Sequence, residues 1–151
     1  TEDTVSDKIK SKWVIRIELD KLDNFIARRR ELASRYVTWL HQQEYVQRAQ
    51  YVDIDASANH LFVVAIDFDK LQISRQDVMK QLRRKNIITQ VHYIPVVNQP
   101  YFKNKGINPE DFPVSQNHYK AALSLPLYYS LSDDEFDYTL KTIEQVLQVY
   151  L

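Results

Sequence analysis

The spacing of apolar positions divides this chain into a few elements. From about Leu19 to Gln43, Leu19, Leu22, Ile26, Ala33, Tyr36, Val37 and Leu40 recur every three or four residues, which is one face of a helix. Asp20, Asp23 and Arg28-Arg29-Arg30 fill other positions, and no Pro or Gly interrupts the run. At roughly 25 residues it is long for a globular helix. That length suits bridging two domains or lying along a neighbouring subunit. Tyr51-Val52-Asp53-Ile54 reads as a short strand. Leu61 to Ile66 reads as a stronger one, apolar on both alternating faces and therefore buried on both sides. Ser74-Arg75-Gln76-Asp77 resembles a capped helix start with Asp in place of the usual Glu. Val78, Met79 and Leu82 give that helix its apolar face, and Asn86 its stop.

Ile87 to Ile94 alternates as a strand should. Ile88, Gln90, His92 and Ile94 lie on one face; Ile87, Thr89, Val91 and Tyr93 lie on the other. Pro95 ends it. Asn98 to Pro113 reads as a loop, Ser115 to Leu123 as a short helix, and Leu123-Ser124-Leu125-Pro126-Leu127 as its exit. Ser132-Asp133-Asp134-Glu135 is a full capping box, with acidic groups suited to the helix dipole. Phe136, Leu140, Ile143, Leu147 and Tyr150 line the last helix. Trp13 to Ile17 fits either a strand or a helix entry. A few strands with helices segregated to one side predict an α+β two-layer domain.

Composition narrows the function. The chain has 151 residues, enough for one domain with a real core. It has no Cys, which excludes disulfides, cysteine nucleophiles and thiolate metal sites and suits a cytoplasmic protein. The formal net charge is zero, against a general nucleic-acid binder. No apolar stretch approaches the roughly 20 residues of a membrane span. The acidic, polar start is unlike a secretory signal. With a single Gly, Gly106, neither a Walker A loop nor a dinucleotide fingerprint is present. The histidines at 41, 60, 92 and 118 have no paired metal spacing, so no metal site is expected.

Five runs then occur together. They are Asn86 to Val96 (NIITQVHYIPV), Gln99-Pro100-Tyr101-Phe102, Phe112-Pro113, Leu123 to Tyr128 (LSLPLY) and Leu131-Ser132-Asp133-Asp134-Glu135. Leu22 to Ala33 (LDNFIARRRELA) precedes them. In order and spacing this set resembles the C-terminal domain of the DegT/StrS family of pyridoxal-phosphate-dependent nucleotide-sugar aminotransferases. It is most similar to members that aminate a UDP-4-keto-6-deoxy-hexosamine towards pseudaminic-acid-type surface sugars.

The resemblance covers about 19–151, leaving 1–18 as an atypical N-terminal segment. It implies the small α+β domain of a fold-type I aminotransferase: a small, mostly antiparallel sheet, helices on one side and a long N-terminal helix. The family's Schiff-base lysine, the acid paired with the pyridine nitrogen and the phosphate-holding loops belong to a large domain outside this stretch. No catalytic residue, and no pyridoxal phosphate bound by this chain alone, is therefore expected. Residues 1–18 lack the family's usual Asn-Tyr-Arg-type approach to the helix. Ser115-Gln116 stands where Ala-Glu is common, and Tyr129 where Pro is common.

The resemblance implies that His92 faces cofactor and sugar near the domain junction of the intact enzyme; read from the residues alone, it fits a half-buried histidine bonded to backbone. Tyr93 and Tyr101 fit a sugar-pocket wall or ordinary packing. Gln90 and Asn98 fit ligands of sugar hydroxyls or surface polar residues. Arg28-Arg29-Arg30 fits a phosphate clamp or a solvated helix face. Asp67 and Asp69 fit a cation site or a solvated strand end.

Three arrangements follow: a small domain inactive by itself, one half of a split enzyme with a separate large-domain polypeptide, or a non-catalytic interaction module. The third predicts an apolar stripe on the long helix, and with it a homo-oligomer.

Overall fold

The computed structural model describes residues 19–48 and 53–148. Helix α1 (Leu22–Leu40) is followed by β1 (Val46–Arg48), β2 (Phe62–Ile66) and α2 (Arg75–Arg84). Then come short α3 (Pro100–Asn104), α4 (Pro113–Ala121), β3 (Ala122–Leu125) and α5 (Asp133–Gln148). The three strands form an antiparallel sheet in the order β1-β2-β3. This is the expected α+β architecture.

Period-two alternation on the sheet decides where the core sits. Phe62, Val64 and Ile66 on β2, with Leu123 and Leu125 on β3, are buried together with Leu32, Tyr36 and Trp39 of α1, Val78 and Leu82 of α2, and Phe136, Ile143 and Leu147 of α5. Tyr36 is the hub. Its ring stacks on Phe62 at 4.6 Å and tilts against Phe136 at 4.6 Å. Its hydroxyl donates to the carbonyl of Pro126 at 2.9 Å, as a buried phenol requires, and burial pushes its ionisation well above the ordinary tyrosine range. The indole N–H of Trp39 donates to Glu144 at 2.8 Å, tying α1 to α5.

Local sequence explains the helix ends. Ser74 caps α2, its hydroxyl accepting from the Asp77 amide and donating to the Asp77 carboxylate at 2.7 Å. Asn86 takes a left-handed φ of 61° just beyond the end, a conformation asparagine tolerates. At α5 the Ser132 amide and hydroxyl both donate to Glu135, each at 2.9 Å. The Glu135 amide donates back to the Ser132 hydroxyl. These bonds, led by the Ser132 amide, hold the Glu135 carboxyl below its ordinary range.

Four expectations are corrected. Leu123 to Leu127 is not a helix exit. The helix ends at Ala121, and Ala122–Leu125 is a buried strand, because Leu, Ser and Leu alternate between the sheet's two faces. Ile87 to Ile94 is not a full strand. It meets β3 at one bridge, Gln90 to Ser124, since β3 is four residues long and a proline follows it. Tyr51 and Val52 lie outside the described residues, but Ile54 sits in a turn and Asp53 accepts from the Ser57 amide. Among the described residues the first strand is Val46–Arg48, whose single apolar residue gives almost no pattern. The 98–113 stretch, read as a loop, contains α3 and a 3-10 turn at Pro109–Asp111, each opened by a proline at a position that needs no N–H. Trp13 to Ile17 also lies outside the described residues.

Candidate functional site

The site grows from the one bridge beyond β3. The Gln90 amide donates to the Ser124 carbonyl at 3.2 Å, and the Ser124 amide donates to the Gln90 carbonyl at 2.7 Å. Side chains two residues apart share a strand face, so His92 is the diagonal neighbour of Ser124, within reach of a longer side chain. His92 Nδ1 lies 2.8 Å from Ser124 Oγ. Ser124 is 4% exposed. His92 is half-buried, and its Nε2 has no partner among the described residues and is not sealed from solvent. The histidine is thus half-buried, as the residues alone suggested, but its partner is a side chain and not the backbone.

Sequence reasoning missed Ser124. A signal was available: one hydroxyl inside an otherwise apolar buried strand must find a hydrogen-bond partner.

The other expected residues are placed unevenly. Tyr93 is 76% exposed and meets the His92 ring edge to face at 4.8 Å. Gln90 uses its backbone on β3 and leaves its amide side chain exposed. Tyr101 is exposed on α3, packed against Phe102, with the Lys105 ammonium 5.8 Å from its ring. No hydrogen bond or ring contact joins Tyr101 to His92. Asn98 is committed elsewhere, exchanging amide hydrogen bonds with Gln116 at 2.8 and 3.2 Å.

Arg28 is neither solvated nor a phosphate clamp. Its guanidinium donates to Glu31, to Asp133 and to the carbonyl of Leu131, and Arg35 joins Asp133 and Asp137. Hydrogen bonds from Arg28 and then Arg35 hold the Asp133 carboxyl below its ordinary range. Asp67 accepts from the Lys70 amide, and no cluster of metal-ligating groups occurs among the described residues.

The expected apolar stripe on α1 is buried in the protein's own core along Leu32, Ala33, Tyr36, Trp39 and Leu40, with Leu19 and Leu22 left exposed at its start. Seven of the exposed large apolar side chains lie in the sequence between Ile88 and Val114. A separate cleft of about 690 Å³ lies at the far corner of the sheet, between Tyr45, Phe68, Arg75 and Tyr119. His92, Tyr93, Gln90 and Tyr101 do not line it, but Asp67 and Asp69 do.

A Schiff-base lysine needs a desolvated, shaped pocket. Every described lysine is exposed, so the described residues do not by themselves fit pyridoxal phosphate.

The profile of the DegT/DnrJ/EryC1/StrS aminotransferase family matches residues 12–144. The chain belongs to this family. It is 36% identical to the spore coat polysaccharide biosynthesis protein SpsC of Bacillus subtilis, over 87% of the chain and 34% of that protein. It is 24% identical to a UDP-4-amino-4,6-dideoxy-N-acetyl-beta-L-altrosamine transaminase of Campylobacter jejuni, over 87% of the chain and 34% of that protein. Its fold matches Spr1654 of Streptococcus pneumoniae with a TM-score of 0.79 and 24% identity, covering 89% of this chain and 33% of that one. The Streptococcus protein has been solved in forms carrying pyridoxal and pyridoxamine phosphate. Helicobacter pylori PseC, an aminotransferase of pseudaminic acid biosynthesis, matches with a TM-score of 0.77 at 19% identity, over 87% of this chain and 35% of that one. The chain spans about a third of the length of the curated relatives it matches. Among the described residues no helix is long and apolar enough to cross a membrane.

Proposed function

We propose that this chain supplies the substrate-side wall of a nucleotide-sugar aminotransferase in surface-polysaccharide synthesis, working in the cytoplasm. The reaction is amino transfer from glutamate to a 4-keto sugar nucleotide. His92, Tyr93, Gln90 and Tyr101 face the substrate. Pyridoxal phosphate supplies the electron sink when bound, and protein outside the described residues holds it. One observation carries this reading. His92 is anchored through one ring nitrogen to buried Ser124 while the other nitrogen and Tyr93 are left open. A rigidly supported polar group beside exposed aromatic surface is how a binding wall is built.

The 151-residue chain alone, incubated with pyridoxal phosphate and reduced with borohydride, is expected to show no stoichiometric lysine adduct; a single labelled lysine would overturn the assignment of the cofactor to other protein. Mixed with a polypeptide carrying the family's large domain, it is expected to restore amino transfer, and His92→Ala is expected to lower kcat/KM at least 10-fold. Unchanged activity in that variant would remove His92 from the site.

A second reading, a non-catalytic interaction module, is favoured by the apolar residues exposed between Ile88 and Val114. Surface of this kind marks interaction sites, and this reading requires a stable homo-oligomer of the chain alone. A monomer in sedimentation equilibrium that forms a complex only with a large-domain polypeptide would support the first reading over the second.

A further inference from the structure

We propose that Ser124 is a positioning residue that holds the His92 imidazole in a single tautomer. Its hydroxyl donates to Nδ1, the ring proton stays on Nε2, and His92 presents an N–H donor to an acceptor oxygen of the substrate. The proposal rests on the substrate-side reading of His92 above and names how that side chain is prepared.

The hydrogen-bond inventory sets the direction. A hydroxyl carries one donor and can accept; a neutral imidazole has one nitrogen of each kind. The Ser124 hydroxyl has one partner among the described residues, His92 Nδ1 at 2.8 Å. Ser124 is 4% exposed, which leaves its hydroxyl little access to bulk water. If Nδ1 carried the ring hydrogen, the serine hydroxyl would have to accept, and its own hydrogen would be buried without an acceptor. Buried donors are rarely left unpaired. The bond therefore runs from Oγ to Nδ1, and the proton lies on Nε2, the nitrogen open to solvent.

The backbone makes the clamp rigid. Ser124 exchanges both main-chain hydrogen bonds with Gln90 and sits opposite Val63 of β2. One residue thus locates the segment by its peptide groups and the ring by its side chain. A partner on the second ring nitrogen is a recurrent way of setting histidine tautomer and orientation. The consequence is selective: the open nitrogen favours a hydroxyl, carbonyl or phosphate oxygen and disfavours an ammonium or amide N–H.

Nitrogen-15 NMR of the full chain, at a pH where imidazoles are neutral, tests this directly, with the His92 ring assigned by its loss in His92→Gln. The expected result is a protonated Nε2 and a hydrogen-bonded, unprotonated Nδ1, with no tautomer averaging. Ser124→Ala is expected to let the His92 signals average as in a free imidazole, and Ser124→Thr to restore the single tautomer. A wild-type His92 protonated on Nδ1, or averaging, would overturn the proposal; this wild-type measurement decides it even if the variants fail to fold. In the amino-transfer assay, an inactive role for His92 together with the expected tautomer would overturn the substrate reading alone, so the two failures are distinguishable.

Discussion

Strand β3 has two edges that live by different rules. Towards β2 it is paired along its whole length, from Ala122 to Leu125, and Leu123 and Leu125 enter the core beneath Tyr36 and Phe136. Towards residues 88–95 it makes one bridge and one side-chain bond, and the segment beyond presents Tyr93, Ile94 and Val96 to solvent. The first edge turns apolar area into stability. The second holds a few groups in place and leaves apolar area uncovered, as surfaces that bind something do. Ser124 serves both edges at once.

The largest expected break falls on the closed side. Tyr36→Ala removes the ring shared by α1, β2 and α5 and should cost about 3–5 kcal/mol, a large part of a typical domain's stability. Urea unfolding reads this directly, and a loss under about 1 kcal/mol would mean Tyr36 is not the hub. Tyr36→Phe keeps the ring and strips the bond to Pro126, so about 1–2 kcal/mol is expected from the same measurement.

Acid should weaken the α1–α5 join next. The Asp133 and Glu135 carboxyls are held below their ordinary range by Arg28 and Ser132. Such a group stabilises the fold at pH above its unfolded value, near 4, and loses that contribution as pH falls through the lower native value. The unfolding midpoint should therefore drop below about pH 4. Asp133→Asn should flatten that limb, and an unchanged pH profile would show the ion pairs contribute nothing.

The smallest stability effect belongs to the open side. Tyr93→Ala should stay within about 0.5 kcal/mol of wild type, while lowering kcat/KM in the assembled enzyme. A substantial loss of stability with full activity would reverse the comparison and make Tyr93 a packing residue.

Much of this was legible in the residues. Helix α1, strand β2, the Ser74 start and the Ser132 capping box each carry a local signal: a period, or a hydroxyl three residues ahead of an acid. The family showed in five short runs that kept their order. The weaker elements gave no such signal. Val46–Arg48 is too short and too polar to show an alternation. The 87–94 stretch reads as a strand just as the continuous apolar run of β2 does, yet lacks a partner long enough to pair with. Arg28-Arg29-Arg30 reads as one charged patch, but Arg28 is drawn to Asp133, more than a hundred residues away in the chain.

By itself, then, the amino-acid order determined the three longer helices, the Ser74 and Ser132 caps, the α+β class and the family, because period, capping chemistry and motif spacing all act over a few residues. Only the tertiary structure decided that Leu123 to Leu125 is the strand joining core to site, that α1 buries its own stripe, and that Ser124 meets His92. Each of these depends on which distant segment becomes a neighbour, and hydrogen-bond direction and burial exist only once that neighbour is in place.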